Sequence, residues 1–352
     1  MDAASPSGIR RQYGDATVTI FVKELPLTAL RRWLVSAALV PLVAACTTTG
    51  TASTGAPEPA QPAPSASMTV KAEFGDVVLP ANPQAALGMY TTDVDILITL
   101  GYPLAKEQPI RGDSGYRTFP SYFPQTELAA VTPFANYPDF NYEKILAVQP
   151  DFILNGLGYD QKTDDRLKEI GPTFTVNAFD GRNWREHFKE TAAALGRTAQ
   201  YDAWFATYQA RLAEVKAVIG DRAKDAVVAP VSFWEGKVAS SCYTGLECQT
   251  FDDLGLTIFA PAREKKGEGV TLSGENLGRL KSVHYAFMTI GAGDTGAKEF
   301  ETTKNTLGRN KLWAALPFVT DQRLISYEME MTYGSPSAQF AFLDVIEKAF
   351  TA

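Results

Sequence analysis

The chain has 352 residues, of which 45% are hydrophobic and 21% charged, a composition typical of a globular protein and sufficient for two hydrophobic cores. Acidic residues outnumber basic ones by 40 to 33, which gives a net charge of -7, and no basic stripe runs along the sequence. Nucleic acid is therefore not an expected partner. A positive contact for a ligand must be made locally, by a few Arg or Lys side chains inside a cleft.

The N-terminal region carries the pattern of an export signal. Two arginines precede an apolar run from Trp33 to Ala45, and Cys46 follows it. The run is shorter than the roughly 20 apolar residues that a membrane-spanning helix needs, and it has the length of a signal-peptide core. Its end, Val43-Ala44-Ala45-Cys46, resembles the bacterial lipobox, in which the cysteine is lipidated. We expect residues 1–46 to be a leader ending in lipidated Cys46, which anchors the protein to the outer face of the cell membrane.

Residues 47–67 have the composition of a flexible tether. They are rich in Thr, Pro, Ala, Ser and Gly and carry a single charge, Glu58, so they cannot form a hydrophobic core. Beyond Met68, short apolar runs alternate with helical patterns, which predicts an α/β architecture. The predicted strands include residues 152–154, 227–231, 285–290 and 324–327.

The longest helical pattern covers residues 199–219. Apolar and aromatic side chains recur in it every three or four positions, and no Gly or Pro interrupts it before Gly220. Because this helix lies near the middle of the mature chain, it predicts a rigid rod between two lobes. We therefore expect an N-terminal lobe over residues 68–197, a linking helix over 198–221 and a C-terminal lobe over 222–352.

Aromatic side chains and two arginines are concentrated in the first of these lobes. Residues 108–124 have no clear periodicity and are predicted to form a long loop, where functional residues concentrate. The ligand-binding candidates from this region are Tyr90, Arg111, Tyr116, Arg117, Tyr122 and Tyr159. Candidates from the second lobe, chosen because they lie near predicted strand ends, are Trp234, Lys237, Tyr243 and Tyr333. The alternative for each aromatic ring is core packing, and for each arginine a solvated loop face.

Two cysteines remain once Cys46 is assigned to the lipid. Cys242 and Cys248 are close in sequence, and in an exported protein such a pair is expected to form a disulfide. Closing so small a loop stabilises the fold by about 2 kcal/mol. Zinc binding is the alternative, but the two histidines of the chain, His187 and His284, are far from this pair in sequence.

Four segments occur in an order and spacing that point to a known family. The most specific is 141–154, Asn-Tyr-Glu-Lys-Ile-Leu-Ala-Val-Gln-Pro-Asp-Phe-Ile-Leu; the others are 74–80 with 95–101, 253–256 with 272–277, and 312–317 with 323–327. Together they resemble the substrate-binding proteins of iron-siderophore and cobalamin ABC importers. The resemblance implies the class III periplasmic binding protein fold, with two α/β lobes containing parallel sheets and joined by a single long backbone helix. It also implies that 312–317 and 323–327 are the last helix and strand of the C-terminal lobe.

The same resemblance implies two carboxylates that dock on the importer, one on each lobe. They correspond to Glu143 and Glu275 in this sequence. Asn141 and Ser273 are residue types that begin helices, so each carboxylate is predicted to lie in the first turn of a helix, where the helix dipole favours it. The alternative is that both glutamates only stabilise helix ends.

The resemblance implies a monomeric, extracytoplasmic binding protein that captures a ferric siderophore and delivers it to the membrane subunits of an ABC importer. It implies neither enzymatic activity nor a resident cofactor or metal ligand, because the siderophore already coordinates the iron. Haem or cobalamin is an alternative ligand for the same fold. A surface lipoprotein hydrolase or scaffold is an alternative of a different class. The sequence leaves open whether the chelate is a hydroxamate, a catecholate or a carboxylate.

Overall fold

The computed structural model describes residues 66–243 and 245–352. The predicted leader, Cys46 and the predicted tether up to residue 65 lie outside these residues. None of the described helices combines the length and the apolar composition needed to cross a membrane.

The described residues alternate between strands and helices. The strands are β1 Ser67–Ala72, β2 Gly75–Pro80, β3 Ala86–Gly88, β4 Glu107–Arg111, β5 Thr132–Tyr137, β6 Phe152–Asn155, β7 Thr173–Thr175, β8 Val227–Trp234, β9 Lys237–Ser240, β10 Thr257–Ile258, β11 Val270–Leu272, β12 Tyr285–Ile290 and β13 Leu324–Glu328. The helices are α1 Thr91–Thr99, α2 Gln125–Leu128, α3 Tyr142–Val148, α4 Gln161–Lys168, α5 Trp184–Ala194, α6 Thr198–Ile219, α7 Leu246–Leu254, α8 Gly293–Gly308, α9 Lys311–Ala314, α10 Pro317–Thr320 and α11 Pro336–Thr351.

The N-terminal lobe is built on short parallel sheets. Strands β3, β6 and β7 pair in parallel in the order β3-β6-β7, and β4 pairs in parallel with β5. The antiparallel hairpin of β1 and β2 precedes them. All four residues of β6 are buried, as expected for a parallel strand that is covered on both faces.

The C-terminal lobe has one larger mixed sheet. Its order is β11-β9-β8-β12-β13, and β10 pairs in addition with β8. Strands β8, β10, β12 and β13 are parallel, whereas β9 and β11 extend the sheet in the antiparallel direction. The fold therefore has two α/β lobes with parallel sheets, as the resemblance implied. The antiparallel edge was not predicted, because three- and four-residue strands give too short a pattern to recognise.

Helix α6 is the predicted connection between the lobes. It covers Thr198–Ile219, one residue longer than the periodicity predicted, and buries one face from Tyr201 to Ile219. Trp204 on this face packs edge-on against Phe188 of α5 and against Phe340 of α11, with ring centroids 5.2 and 6.3 Å apart. Because α5 precedes α6 and α11 belongs to the C-terminal lobe, the helix is fixed to both lobes at once.

Two predictions about helices are wrong, and the predicted loop over residues 108–124 begins too early, because residues 108–111 belong to β4. No helix begins at Ser273: residues from Ser273 form a turn, and a 3-10 helix starts only at Leu277. Segment 312–317 is not the last helix of the lobe, since it is divided between α9 and the start of α10, and α11 comes later in the chain. In the second case Pro317 explains the division, because proline begins a new helix more readily than it continues one.

The predicted disulfide is present. Cys242 and Cys248 are bonded, with their Cα atoms 5.6 Å apart. Cys248 lies in the first turn of α7, so the bond ties the preceding loop to this helix. The loop residue Tyr243 lies beside Gly181 of the N-terminal lobe, where a Cβ atom would come within 3.2 Å of the tyrosine ring.

Candidate ligand-binding site between the two lobes

The central candidate residues meet where strand ends from the two lobes face each other. Tyr90 immediately precedes α1 on the carboxyl side of β3, and Arg111 is the last residue of β4. From the C-terminal lobe, the 3-10 helix Met329–Tyr333 directly follows β13 and carries Glu330. Ligands of α/β proteins bind outside the carboxyl ends of the strands, so this is the expected edge for a site.

A buried polar group joins the lobes at this point. The Tyr90 hydroxyl donates to Glu330 Oε1 at 2.8 Å, and Arg111 Nη1 donates to the Tyr90 oxygen at 2.9 Å and to Glu330 Oε1 at 3.4 Å. Asp113 forms a second ion pair with the same guanidinium. Arg111 is 6% exposed and Glu330 is 1% exposed, so this interaction takes place away from bulk water.

Further contacts close the lobes around this group. The Glu330 backbone N–H donates to the Tyr116 hydroxyl at 3.3 Å, and the Ala292 backbone N–H donates to the Ser114 carbonyl at 2.8 Å. Both bonds run from the loop after β4 to the C-terminal lobe. The predicted loop therefore reaches the site, although its side chains are mostly engaged with the protein itself.

Burial controls the ionisation of the central groups. Burial raises the pKa of Glu330 above its usual value, although Arg111 and Tyr90 oppose this by stabilising the carboxylate. Its second oxygen, Oε2, is buried and has no hydrogen-bond partner among the described residues. Burial also raises the pKa of Tyr90, and the charge of Glu330 adds to that effect, so the phenol keeps its proton and remains a donor.

The Asp93 carboxylate holds the backbone of Tyr90 in place. Its Oδ2 accepts hydrogen bonds from the backbone N–H of Tyr90 at 3.0 Å and of Gly156 at 3.2 Å. Complete burial raises the pKa of Asp93 to about 7, although these backbone donors act in the opposite direction. Because Tyr90 follows β3 and Gly156 follows β6, the Asp93 carboxylate connects the carboxyl ends of these two strands.

A row of aromatic rings crosses the interface. Successive ring centroids are 5.7, 5.8, 5.9 and 5.8 Å apart along the row Tyr137, Tyr90, Tyr333, Phe179 and Tyr159. Each pair meets edge to face, the arrangement that aromatic quadrupoles favour. Tyr333 belongs to the C-terminal lobe and the other four rings to the N-terminal lobe, so the row spans the contact.

The cavity between the lobes is small in this structure. Lined by Tyr90, Asp93, Phe179, Trp184 and Tyr333, it has a volume of about 30 Å³, the space of about one water molecule. A bulky ligand exceeds this volume, so it can bind here only when the lobes or these side chains move apart.

A larger cavity of about 980 Å³ lies elsewhere on the C-terminal lobe, beside Tyr285, Arg323 and Phe350. It is at the amino ends of β12 and β13, the edge opposite to the site. We regard the interlobe position as the candidate site despite its smaller volume, because a buried guanidinium, two tyrosine hydroxyls and a row of rings from both lobes converge there.

The structure separates the predicted site residues into two groups. Tyr90, Arg111, Tyr116 and Tyr333 meet at the interface, and Tyr159 joins them through Phe179. The remaining candidates lie apart from the polar group: Arg117 is exposed and bonded to backbone carbonyls, Tyr122 is half-buried beside Phe123, Tyr243 adjoins Gly181, and Trp234 and Lys237 are exposed at the β8–β9 turn. Their roles in ligand binding stay predictions.

Sequence reasoning missed Glu330 and Asp113, and it did not select Phe179 or Tyr137. A signal for Glu330 was available, because the segment Glu328-Met329-Glu330 directly follows a predicted parallel strand. Acidic residues at that edge are candidates for a site by position alone. Within residues 66–243 and 245–352, no group of three or more His, Cys, Asp or Glu side chains is arranged to hold a metal ion.

Comparison with known proteins assigns the chain to a family. The profile described as periplasmic binding protein matches residues 89–330, which include the polar group and parts of both lobes. The chain belongs to the periplasmic binding protein family. The candidate residues of this periplasmic binding protein converge between its two lobes.

The relatives and solved structures agree with this assignment. The chain is 28% identical over 188 residues to the iron-uptake system-binding protein of Bacillus subtilis, covering 52% of this chain and 57% of the relative. It spans about half the length of the curated relatives it matches.

Two solved structures share the fold. The structure of Staphylococcus aureus SirA complexed with staphyloferrin B superimposes with a TM-score of 0.63 at 18% identity, covering 80% of this chain and 98% of SirA. A FhuD-fold periplasmic binding protein component of a Fep/Fec-like ferrichrome ABC transporter from Bacillus subtilis gives a TM-score of 0.62 at 21% identity, covering 80% and 99%. At these identities the likeness shows the fold.

Proposed function

We propose that this periplasmic binding protein captures a ferric siderophore between its lobes and delivers it to an ABC importer. One observation carries the proposal. Arg111 and Tyr90 of the N-terminal lobe meet Glu330 of the C-terminal lobe in a buried polar group, and a row of aromatic rings lies beside it. The similar proteins support the proposal: one is named an iron-uptake system-binding protein, one was solved with staphyloferrin B, and one is a component of a ferrichrome ABC transporter.

The chemistry of the site suits a chelate whose metal is already coordinated. Such a ligand presents oxygen atoms, which an arginine and tyrosine hydroxyls bind through charge-assisted and neutral hydrogen bonds. Its flat or apolar parts pack against aromatic faces. The protein then binds and releases the chelate without changing it, so we propose a transport role rather than an enzymatic one, with iron as part of the cargo.

Intrinsic fluorescence tests this function. Trp184 lines the interlobe cavity, so a ligand that enters there is expected to quench its emission. Ferric siderophores should quench saturably, whereas iron-free chelators, haem and cobalamin should not. Saturable quenching by haem or cobalamin alone would favour the alternative ligand of the same fold, and flat titrations with every ferric chelate would contradict the proposal.

We propose that Glu143 and Glu275 dock the protein on the importer. Both are exposed, and Asn141 caps the helix that carries Glu143 by accepting from the Lys144 N–H at 3.0 Å. Each carboxylate lies beside an exposed leucine: Leu146 follows Glu143 by one turn of α3, and Leu312 shares a shallow concavity with Glu275. An exposed acid next to an exposed apolar side chain fits a partner surface that offers arginines within an apolar patch.

Charge reversal at either docking position is expected to impair transport and spare ligand binding. Glu143→Lys and Glu275→Lys place a cation where the importer requires an anion, so iron uptake by cells should fall at least about tenfold, while the chelate dissociation constant stays within about twofold. Uptake of labelled ferric siderophore and fluorescence titration measure the two quantities. Glu301→Lys, on the exposed side of α8, is the matched control and should leave uptake unchanged. A loss of chelate affinity in either docking variant would contradict the assignment.

We propose further that Cys46 carries the lipid anchor, that residues 47–67 tether the lobes to the outer face of the membrane, and that the protein acts there as a monomer. The probable siderophore-binding lipoprotein of Bacillus subtilis, 24% identical over 160 residues, supports the anchoring. Mass spectrometry of the mature N-terminus tests it: an unmodified cysteine in the membrane fraction contradicts the assignment.

A further inference from the structure

The charge of the interlobe site is set by one basic residue and several acids. Arg111 is the only Lys or Arg side chain that is buried in the described parts of the chain. It already faces two carboxylates, Asp113 and Glu330, which together carry more negative charge than it neutralises. The centre of the site is therefore acidic, even though its most prominent donor is a guanidinium.

A third acid, Glu328, adds negative charge near the site. Glu328 ends β13, is half-buried, and has one carboxylate oxygen that is buried without a hydrogen-bond partner among the described residues. Burial raises the pKa of Tyr116, and the charges of Glu330 and Glu328 raise it further.

The other basic residues near the interface offset these acids only weakly, because Arg117 and Arg182 are exposed to water, which screens their charges. Arg117 is exposed and directs its guanidinium to the carbonyls of Gly112 and Tyr116. Arg182 is held by the carboxylates of Asp180 and Glu190 at 2.7 and 2.9 Å.

Glu330 competes with a ligand oxygen for donors at the centre of the site. Its Oε1 accepts from both Tyr90 and Arg111. A chelate oxygen that replaces it leaves the Glu330 carboxylate nearby without its partners. In a site shielded from water, a strongly anionic ligand would then face a like charge with no second cation to compensate, which costs far more than in solvent.

We propose, on the basis of the siderophore-binding function above, that this site accepts ferric chelates of zero or positive net charge and discriminates against strongly anionic ones. Glu330 provides the discrimination, because its charge repels an anionic chelate and does not repel an uncharged one. The chemical class that fits is the ferric trihydroxamate, in which three anionic oxygens balance the charge of the iron. Ferric tricatecholates, which are trianionic, do not fit.

Titration of the wild-type protein with two ferric chelates tests the ligand class. Ferrichrome, an uncharged trihydroxamate complex, should bind at least about tenfold more tightly than ferric enterobactin, a trianionic tricatecholate complex, by tryptophan quenching at constant ionic strength. Equal or tighter binding of ferric enterobactin would overturn the inference and leave the proposed function standing. Failure of every ferric chelate to bind would overturn both.

A single isosteric substitution tests the role of Glu330. Glu330→Gln keeps an acceptor oxygen for Tyr90 and Arg111 but removes the negative charge, so the ratio of the affinities for ferric enterobactin and ferrichrome should shift at least about tenfold toward ferric enterobactin. Glu301→Gln, which removes the same charge from the exposed face of α8, should change neither. An unaltered ratio of the two affinities in a Glu330→Gln protein that melts cooperatively would show that Glu330 does not discriminate. The wild-type preference decides the ligand class even if this variant does not fold.

Discussion

Replacing Arg111 with Met is expected to reduce affinity for the ferric chelate about 100-fold and to destabilise the folded protein by about 3 kcal/mol. The affinity falls because the only buried guanidinium of the described residues, which holds the Tyr90 hydroxyl at 2.9 Å, is removed from the site. The stability falls because Glu330, 1% exposed, loses its cation and keeps one buried carboxylate oxygen without any hydrogen bond.

Fluorescence titration and urea denaturation measure these two effects. Arg117→Met is the matched control: Arg117 lies six residues further along the chain, in the loop after β4, is exposed, and bonds only to backbone carbonyls among the described residues, so its loss should cost less than about 0.5 kcal/mol. Arg111→Met combined with Glu330→Gln should recover part of the lost stability, because the Glu330 charge no longer stays buried without its cation. Equal effects of the two arginine substitutions would contradict the central role of Arg111.

Replacing Trp204 with Ala is expected to destabilise the protein by about 3–5 kcal/mol, because a large side chain leaves a cavity in a closely packed aromatic cluster. Trp204 is 8% exposed, stacks on Tyr208 with ring centroids 5.7 Å apart, and packs against Phe188 and Phe340. Its indole N–H also donates to the Pro336 carbonyl at 3.3 Å, so the substitution weakens the attachment of α11 to α6.

Circular dichroism during urea denaturation measures this effect, since tryptophan emission itself changes in the variant. Val218→Ala is the control on the same helix: Val218 is among the exposed hydrophobic residues, and its truncation should change stability by less than about 0.5 kcal/mol. A Trp204→Ala protein as stable as the control would contradict the view that α6 holds the two lobes together.

The sequence was most informative where a pattern is long and local. Twenty-two residues of α6 repeat the helical period many times, and its prediction was correct to within one residue. The four predicted strands are present. In β6, β8 and β12 a compact apolar run is largely buried, whereas β13 lies at the edge of the sheet and buries only Tyr327. The two cysteines were close enough in sequence for their pairing to be predicted without knowledge of the fold.

The same reasoning was least reliable where a few residues had to decide a local structure. Ser273 has the chemistry of a helix cap, but the turn that follows it leads to a 3-10 helix four residues later, so Glu275 is not in a helical first turn. Asn141, of a similar type, does cap α3. A capping residue is compatible with either outcome, and the packing of the segment that follows decides between them.

By itself, the sequence determined the two α/β halves, the long helix between them, the disulfide and the family, because all of these depend on periodicity, spacing or ordered segments of the chain. Only the tertiary structure decided the composition of the site. Arg111 and Glu330 are 219 residues apart, and no local pattern relates them. They meet because α6 fixes both lobes so that the strand ends bearing these residues face each other. Because both side chains are buried there, the guanidinium and the carboxylate form the polar centre of the interface.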